Sequence, residues 1–236
     1  MEQPGGASRL EGKRILLGVS GGIAAYKACD LASRLVQEKA QVTAILTHQA
    51  LKFVTPYTFE ALTGRPCLSS MFKRIAPGES PYPHLDPAGS TDLLILAPAT
   101  AHLLARLAAG FADELLPTLC LSVRCPVLLC PAMNVQMWEH PATRRNLKML
   151  AGFGYRILGP ASGTLACGTE GAGRMVEPAE ILAAACKILC SSLPARPSFP
   201  GSGAKGRGRR RGKKRKPGEP GKGPPSKGPP KRAPAP

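Results

Sequence analysis

The stretch "RILLGVSGGIAAYK", Arg14 to Lys27, decides how the rest of the chain is read. Its opening "RILLGV" has the length and apolarity of a short buried strand. The pair Gly21-Gly22 then starts a helix with Ile23, Ala24, Ala28, Leu31, Ala32 and Leu35 on one face. Within the turn lies a Gly-x-Ser-x-Gly, Gly18-Val-Ser-Gly-Gly22, in which Ser20 could stand as a nucleophile on a strand-to-helix elbow. Position argues against that. Hydrolase elbows follow a strand deep in the fold, with the acid and the His later in the chain. This turn follows the first strand, where doubly wound folds seat a phosphate on a helix N-terminus. The N–H groups of Gly21, Gly22 and Ile23 would point at the anion, and the Ser20 hydroxyl would add a bond. The dinucleotide spacing Gly-x-Gly-x-x-Gly is absent, and Leu46-Thr47-His48 stands where an acid would take a ribose hydroxyl. A mononucleotide fits better.

Outward from this turn the pattern repeats. "AQVTAIL", "TDLLILAPAT", "CPVLLCPAM" and "YRILGP" read as strands. Between them "HQALKFV", "PYTFEALTG", "AHLLARLAAG", "DELLPTLCLS", a segment from about Val135 to Ala151 and a last one from Pro178 read as helices. Residues Arg65 to Asp86 and the Gly-rich stretch Gly163 to Gly173 read as loops. Strands that alternate with helices, and are apolar throughout, predict a parallel sheet covered on both faces. The expected fold is therefore a single doubly wound α/β domain, Rossmann-like or flavodoxin-like.

Charge divides the chain. From Pro194 onward there are 14 Lys/Arg and the single acid Glu219, which leaves 18 against 14 for residues 1–193, so the net +17 separates into +13 and +4. The end of the chain, rich in Lys, Arg, Gly and Pro and nearly devoid of apolar residues, cannot offset its ordering entropy by burial and reads as disordered. Such a run binds polyanions by counterion release, although no aromatic residue is interleaved to stack a base. The expected organisation is a flexible lead (1–12), a folded α/β domain (13–193) and the basic tail (194–236). Eight cysteines without a Cys-x-x-Cys, several in apolar runs, argue against a zinc site and for a reducing cytoplasm. The chain contains neither a cleavable signal nor an apolar run of the roughly 18 residues that a membrane span needs.

Three expected strands end in polar clusters: Thr47-His48-Gln49, Thr100 with Ala101, His102 and Leu103, and Ala132-Met-Asn134. In an open parallel sheet these carboxyl ends line one crevice together with Ser20 to Ile23. Here the sequence resembles the homo-oligomeric flavin-containing cysteine decarboxylases. The likeness runs from about Lys13 to Cys190 through "LLGVSGGIAAYK", "FVTPYTFEALTGRP", "LLILAPATAHLLARLAAGFADELLPT", "CPAMNVQMWEHPAT" and "LACGTEGAGRM".

The resemblance implies FMN as cofactor and decarboxylation of 4′-phosphopantothenoylcysteine to 4′-phosphopantetheine, a step of coenzyme A synthesis, in a homotrimer or trimer-based assembly. It places FMN on Gly21, Gly22, Ile23, Thr47, His48, Gln49, Thr100, Ala101, His102, Leu103 and Ala132. The catalytic set it implies is His84, Asn134 and Cys167, with substrate also near Thr164, Ala166 and Met175. The family commonly has Asn where this chain has His102. Flavin oxidation of the cysteinyl CH2–SH to a thioaldehyde would give the carbanion left by CO2 a sulfur on which to place its charge. His84 would take the first proton, Asn134 would hold the carboxylate, and Cys167 would return a proton. Two rivals share these residues in whole or in part: a peptidyl-cysteine decarboxylase of the same family, and a non-catalytic FMN-binding regulator.

Because the tail has no residue that this chemistry uses, deleting residues 201–236 is expected to leave flavin content and CO2 release unchanged. The same deletion should flatten any salt-dependent binding to polyanions, measured as log Kd against log salt.

Overall fold

A computed structural model describes residues 9–71, 89–164 and 168–191 of the chain. All of them belong to the first of two compact units, Met1–Ser198. Five strands, β1 (Arg14–Val19), β2 (Gln41–Leu46), β3 (Leu93–Ala99), β4 (Val127–Pro131) and β5 (Arg156–Ile157), form one parallel sheet in the order β2-β1-β3-β4-β5. This is the doubly wound arrangement expected from the apolar runs, with the order reversal beside β1.

Alternation along each strand sends side chains to two separate cores. From β1, Ile15, Leu17 and Val19 face one core while Leu16 faces the other, and from β3, Leu93 and Ile95 part in the same way from Leu94 and Leu96. The first core is closed by α1 (Ala25–Gln37) and by a C-terminal helix, Pro178–Cys190, which pack on one another. The second lies under α3 (Ala101–Ala109), α4 (Leu115–Ser122) and α6 (Pro141–Gly152). Between β2 and β3 comes α2 (Pro56–Thr63), begun by Thr55, whose side chain accepts from the Thr58 N–H, and ended by Gly64 in the left-handed region. The C-terminal helix is α7, and α5 (Val135–Glu139) is a single short turn before α6.

Three expectations change. "HQALKFV" forms only the 3-10 turn Ala50–Lys52. The helix expected from Val135 to Ala151 breaks at His140, because Pro141 excludes helical backbone at the residue before it. His140 ends α5 and caps α6, its Nδ1 accepting from the Ala142 N–H at 3.1 Å. Trp138, buried on α5, carries the Arg144 guanidinium 4.3 Å over its ring, which ties the two short helices together. The Gly-rich stretch is an antiparallel hairpin of β6 (Ala161–Thr164) and β7 (Glu170–Arg174) rather than a loop. Of the expected loop 65–86, residues 72–86 lie outside the described residues; Leu68 pairs beside Ile45 at the edge of β2.

Gly18 explains how α4 approaches β1. A Cβ there would lie 2.5 Å from Leu96 Cδ2 and 2.6 Å from Leu116 Cδ1. Gly18→Ala is therefore expected to overpack the second core and cost about 1–3 kcal/mol. The urea midpoint should fall while the slope stays constant.

Candidate active site

The carboxyl ends of β1, β3 and β4 meet at one edge of the sheet, and the turns that leave them are bonded to each other. Ser20 is 2% exposed. Its hydroxyl donates to the Pro98 carbonyl at 2.7 Å, accepts from the Thr100 N–H at 3.0 Å and lies 3.1 Å from Thr100 Oγ1. The hydroxyl thus bridges the ends of β1 and β3. The same burial leaves no room for a nucleophile, so the elbow reading fails on geometry.

Gly21 meets the turn after β2 so closely that a Cβ would sit 2.4 Å from Gln49 Cβ. Thr47 supports that turn, its Oγ1 accepting from the Ala50 N–H at 3.2 Å while its own N–H reaches Val19 O at 3.0 Å. His48 and Gln49 are exposed beside it. Among the described residues no hydrogen bond uses the N–H groups of Gly21, Gly22 or Ile23. Gly22 O accepts from the Ala25 N–H at 2.9 Å, which bends the chain into α1.

These N–H groups border a cleft of about 690 Å³. Its wall includes Gly21, Gly22, Ile23, Thr100, Ala101, His102, Ala132, Asn134, Thr164 and Met175. Sequence reasoning therefore placed ten of its residues on one concave surface. Ser20, Thr47, His48, Gln49 and Leu103 lie outside that wall: Leu103 is on the buried face of α3, and its N–H donates to Thr100 Oγ1 at 3.4 Å. His84, Ala166 and Cys167 fall outside the described residues.

Asn134 caps α5, its Oδ1 accepting from the Gln136 N–H at 2.8 Å, so the helix start sets the orientation of its carboxamide in the cleft. The β6-β7 hairpin is laid directly on this segment. Met133 N–H donates to Gly173 O at 2.9 Å, and a Cβ on Gly173 would meet Met133 O at 2.3 Å. Only glycine admits that approach.

Sequence reasoning missed Tyr26, Lys27 and Arg174, which line the cleft together with Met133 and Met137 of the Pro-Ala-Met-Asn-x-x-Met-Trp motif. Ile23, in the turn before α1, and Tyr26, on its first turn, are 63% and 61% exposed although the other face of that helix is core. Lys27 Nζ and Arg174 both bond the same Glu177 oxygen, at 2.8 Å and 2.5 Å. Hydrogen bonds from Lys27 and then from Arg174 hold the Glu177 carboxyl below the usual carboxylate range.

On the far side of His102 is a second hollow of about 770 Å³, where Arg106 pairs with Asp113 and, at 2.9 Å, with Glu114. Asp113 is held below the usual range by its bond from Arg106, and His102 adds a smaller contribution. Among the described residues no cluster of His, Cys, Asp and Glu is arranged to hold a metal ion. Burial pushes the Cys67 thiol up to about 12 and also raises that of Cys130, which disfavours the reactive thiolate at both.

A family profile described as Flavoprotein matches residues 6–189. The chain is 49% identical over 174 residues to the coenzyme A biosynthesis bifunctional protein CoaBC of Vibrio cholerae, and 47% identical over 186 residues to that of Bacillus subtilis. The matched segments are 74% and 79% of this chain but 43% and 45% of those proteins, so the chain spans less than half the length of these curated relatives. Among solved structures it is similar to a mutant PPC decarboxylase complexed with pantothenoylaminoethenethiol, with 29% identity, a TM-score of 0.65, and coverage of 74% of this chain and 97% of that one. The FMN binding protein AtHal3 matches with 29% identity, a TM-score of 0.62, and coverage of 73% and 94%.

Ser20→Ala would leave the Thr100 N–H without its buried partner, while the Pro98 carbonyl would keep only the 3.3 Å bond from the backbone N–H of position 20. We expect a loss of about 1–3 kcal/mol, read as a lower thermal midpoint. An unchanged midpoint would show that the bridge contributes nothing.

Proposed function

The chain belongs to the flavoprotein family, and on that premise we propose that it is an FMN-dependent carboxy-lyase converting 4′-phosphopantothenoylcysteine to 4′-phosphopantetheine and CO2. The observation that carries this reading is convergence: Gly22, Thr100, Ala132 and Asn134, from the turns after β1, β3 and β4, line one cleft under the β6-β7 hairpin. A relative complexed with pantothenoylaminoethenethiol supports the substrate class, and relatives named for FMN support the cofactor.

The residues present fit a flavin mononucleotide. Three backbone donors just before α1, without a hydrogen-bond partner among the described residues, suit its phosphate. The cleft volume of about 690 Å³ lies in the range of small-molecule sites. When bound, FMN supplies the two-electron oxidation and the later reduction that loss of CO2 from a thiol-bearing carbon requires.

The chain's own residues hold and move protons. Asn134, fixed by its cap, holds the substrate carboxylate by hydrogen bonding without a positive charge that would retain it. His84 accepts the proton at the outset, because an imidazole titrates near working pH. Cys167 donates the final proton to the product, and Thr164, Ala166 and Met175 border the substrate.

Catalysis belongs to residues 13–193, and the tail 194–236 binds polyanions independently of it. Exposed apolar Ile23, Tyr26 and Met137 at the cleft support a site completed by further copies of the chain in a homotrimer. No described helix is long and apolar enough to cross a membrane. We place the reaction in the cytoplasm, where its thiol substrate stays reduced.

Two experiments test the reading. A Cβ on Gly22 would lie 3.3 Å from Thr100 Cγ2, a contact that a shift of a few tenths of an ångström relieves, so Gly22→Asp, checked for folding by its thermal midpoint, should retain less than about a tenth of the flavin, by absorbance of the purified protein. His84→Asn should release no CO2. Cys167→Ala should release roughly one equivalent per site without oxygen and accumulate an oxidised, decarboxylated product by mass. Normal turnover by Cys167→Ala would remove that residue from the mechanism.

A further inference from the structure

One group of charges on the cleft wall has no role in the steps above. Lys27 on α1, Arg174 at the end of β7 and Glu177 just before α7 come together although 150 residues separate Lys27 from Glu177. A single carboxylate oxygen accepts from both cations, so the cluster presents two positive charges against one negative. Glu177 stays ionised at neutral pH because both bonds favour its charged form.

The donor inventory leaves capacity to spare. An ammonium has three N–H groups and a guanidinium five, and the bonds to Glu177 occupy one on each. Lys27 is only 12% exposed, so its charge sits in the wall, whereas Arg174 is 44% exposed and can swing. Both line the cleft that Asn134 also lines. A partly buried site with surplus positive charge favours a dianionic ligand over a neutral one.

Resting on the decarboxylase reading, we propose that Lys27 and Arg174 form the subsite for the phosphate monoester at the far end of the pantothenoyl chain, with Glu177 holding both cations in place. The N–H groups at Gly21 to Ile23 are then left to the cofactor phosphate. A peptide ending in cysteine has no dianion to offer here, so the pair makes the site selective for the phosphorylated substrate. Arg suits the role because its planar fork can take two phosphate oxygens at once.

The test uses the holoenzyme and titrates 4′-phosphopantetheine and pantetheine by calorimetry, so that it does not depend on turnover. The wild type should bind the phosphorylated ligand about ten- to a hundredfold more tightly. Arg174→Gln, and separately Lys27→Met, should each shrink that ratio about tenfold, with Arg174→Lys restoring part of it. The ratio should also fall with salt in the wild type and lose most of that dependence in the variants. A wild type without preference, or variants with the wild-type ratio, would overturn the proposal. So would variants that lose FMN at an unchanged ligand ratio, because the cations would then serve the cofactor phosphate. CO2 release from 4′-phosphopantothenoylcysteine is followed in parallel. Its absence in the wild type defeats the decarboxylase reading, while the binding ratio still decides the subsite.

Discussion

The buried hydroxyl of Ser20 is the contact on which the site's geometry depends. It joins the end of β1 to the Pro98 carbonyl and the Thr100 N–H across 78 to 80 positions of sequence. A buried hydroxyl bonded on both its donor and acceptor sides is far less tolerant of displacement than an apolar contact. The turn after β1 therefore presents its N–H groups at a fixed position relative to the start of α3. Thr100, pinned from one side by Ser20, caps α3 on the other through the Leu103 N–H. Two helix starts are thus aimed into one crevice by a side chain that does not line it.

The second constraint is backbone proximity. Gly21 against Gln49 and Gly173 against Met133 are places where a Cβ has no room, and each brings a wall of the cleft to its neighbour without an intervening side chain. These glycines shape the site whatever its ligand. The phosphate-binding look of the first pair and the close packing of the chain are two consequences of the same missing Cβ.

Much of the fold was legible because burial writes itself into composition. Apolar runs bounded by Gly and Pro marked β1 to β4 as strands of a parallel sheet, and Pro56 with Gly64 marked the ends of α2. The hairpin was not legible: Gly163, Gly171 and Gly173 read as loop glycines, yet Gly171 and Gly173 stand where β7 lies on Val135 and Met133 and leaves no room for a Cβ. The break at His140 was written in the sequence as a His-Pro pair, and helical periodicity on either side concealed it. Ten cleft residues followed from strand ends and the family's motifs. Lys27 and Arg174 did not, because a charge on a helix or a strand end has no periodicity that names its partner. Ser20 was singled out for its motif, whereas its bonds to Pro98 and Thr100 depend on a strand nearly eighty residues away.

The position of β1 in the sheet bears on how the domain assembles. It is the first strand along the chain, yet it lies between β2 and β3, and β3 begins only at Leu93. With β2 paired on one side, the other edge of β1 waits for a segment beyond α2 and a long connection. Closing a parallel pair over that separation carries a large loop entropy before any contact repays it, which slows folding. Until β3 docks, Ile15, Leu16 and Leu17 offer an apolar strand with unpaired N–H and C=O groups, open to pairing with another chain. The same central placement that gives the finished domain its buried sheet makes the half-made chain a candidate for chaperone binding.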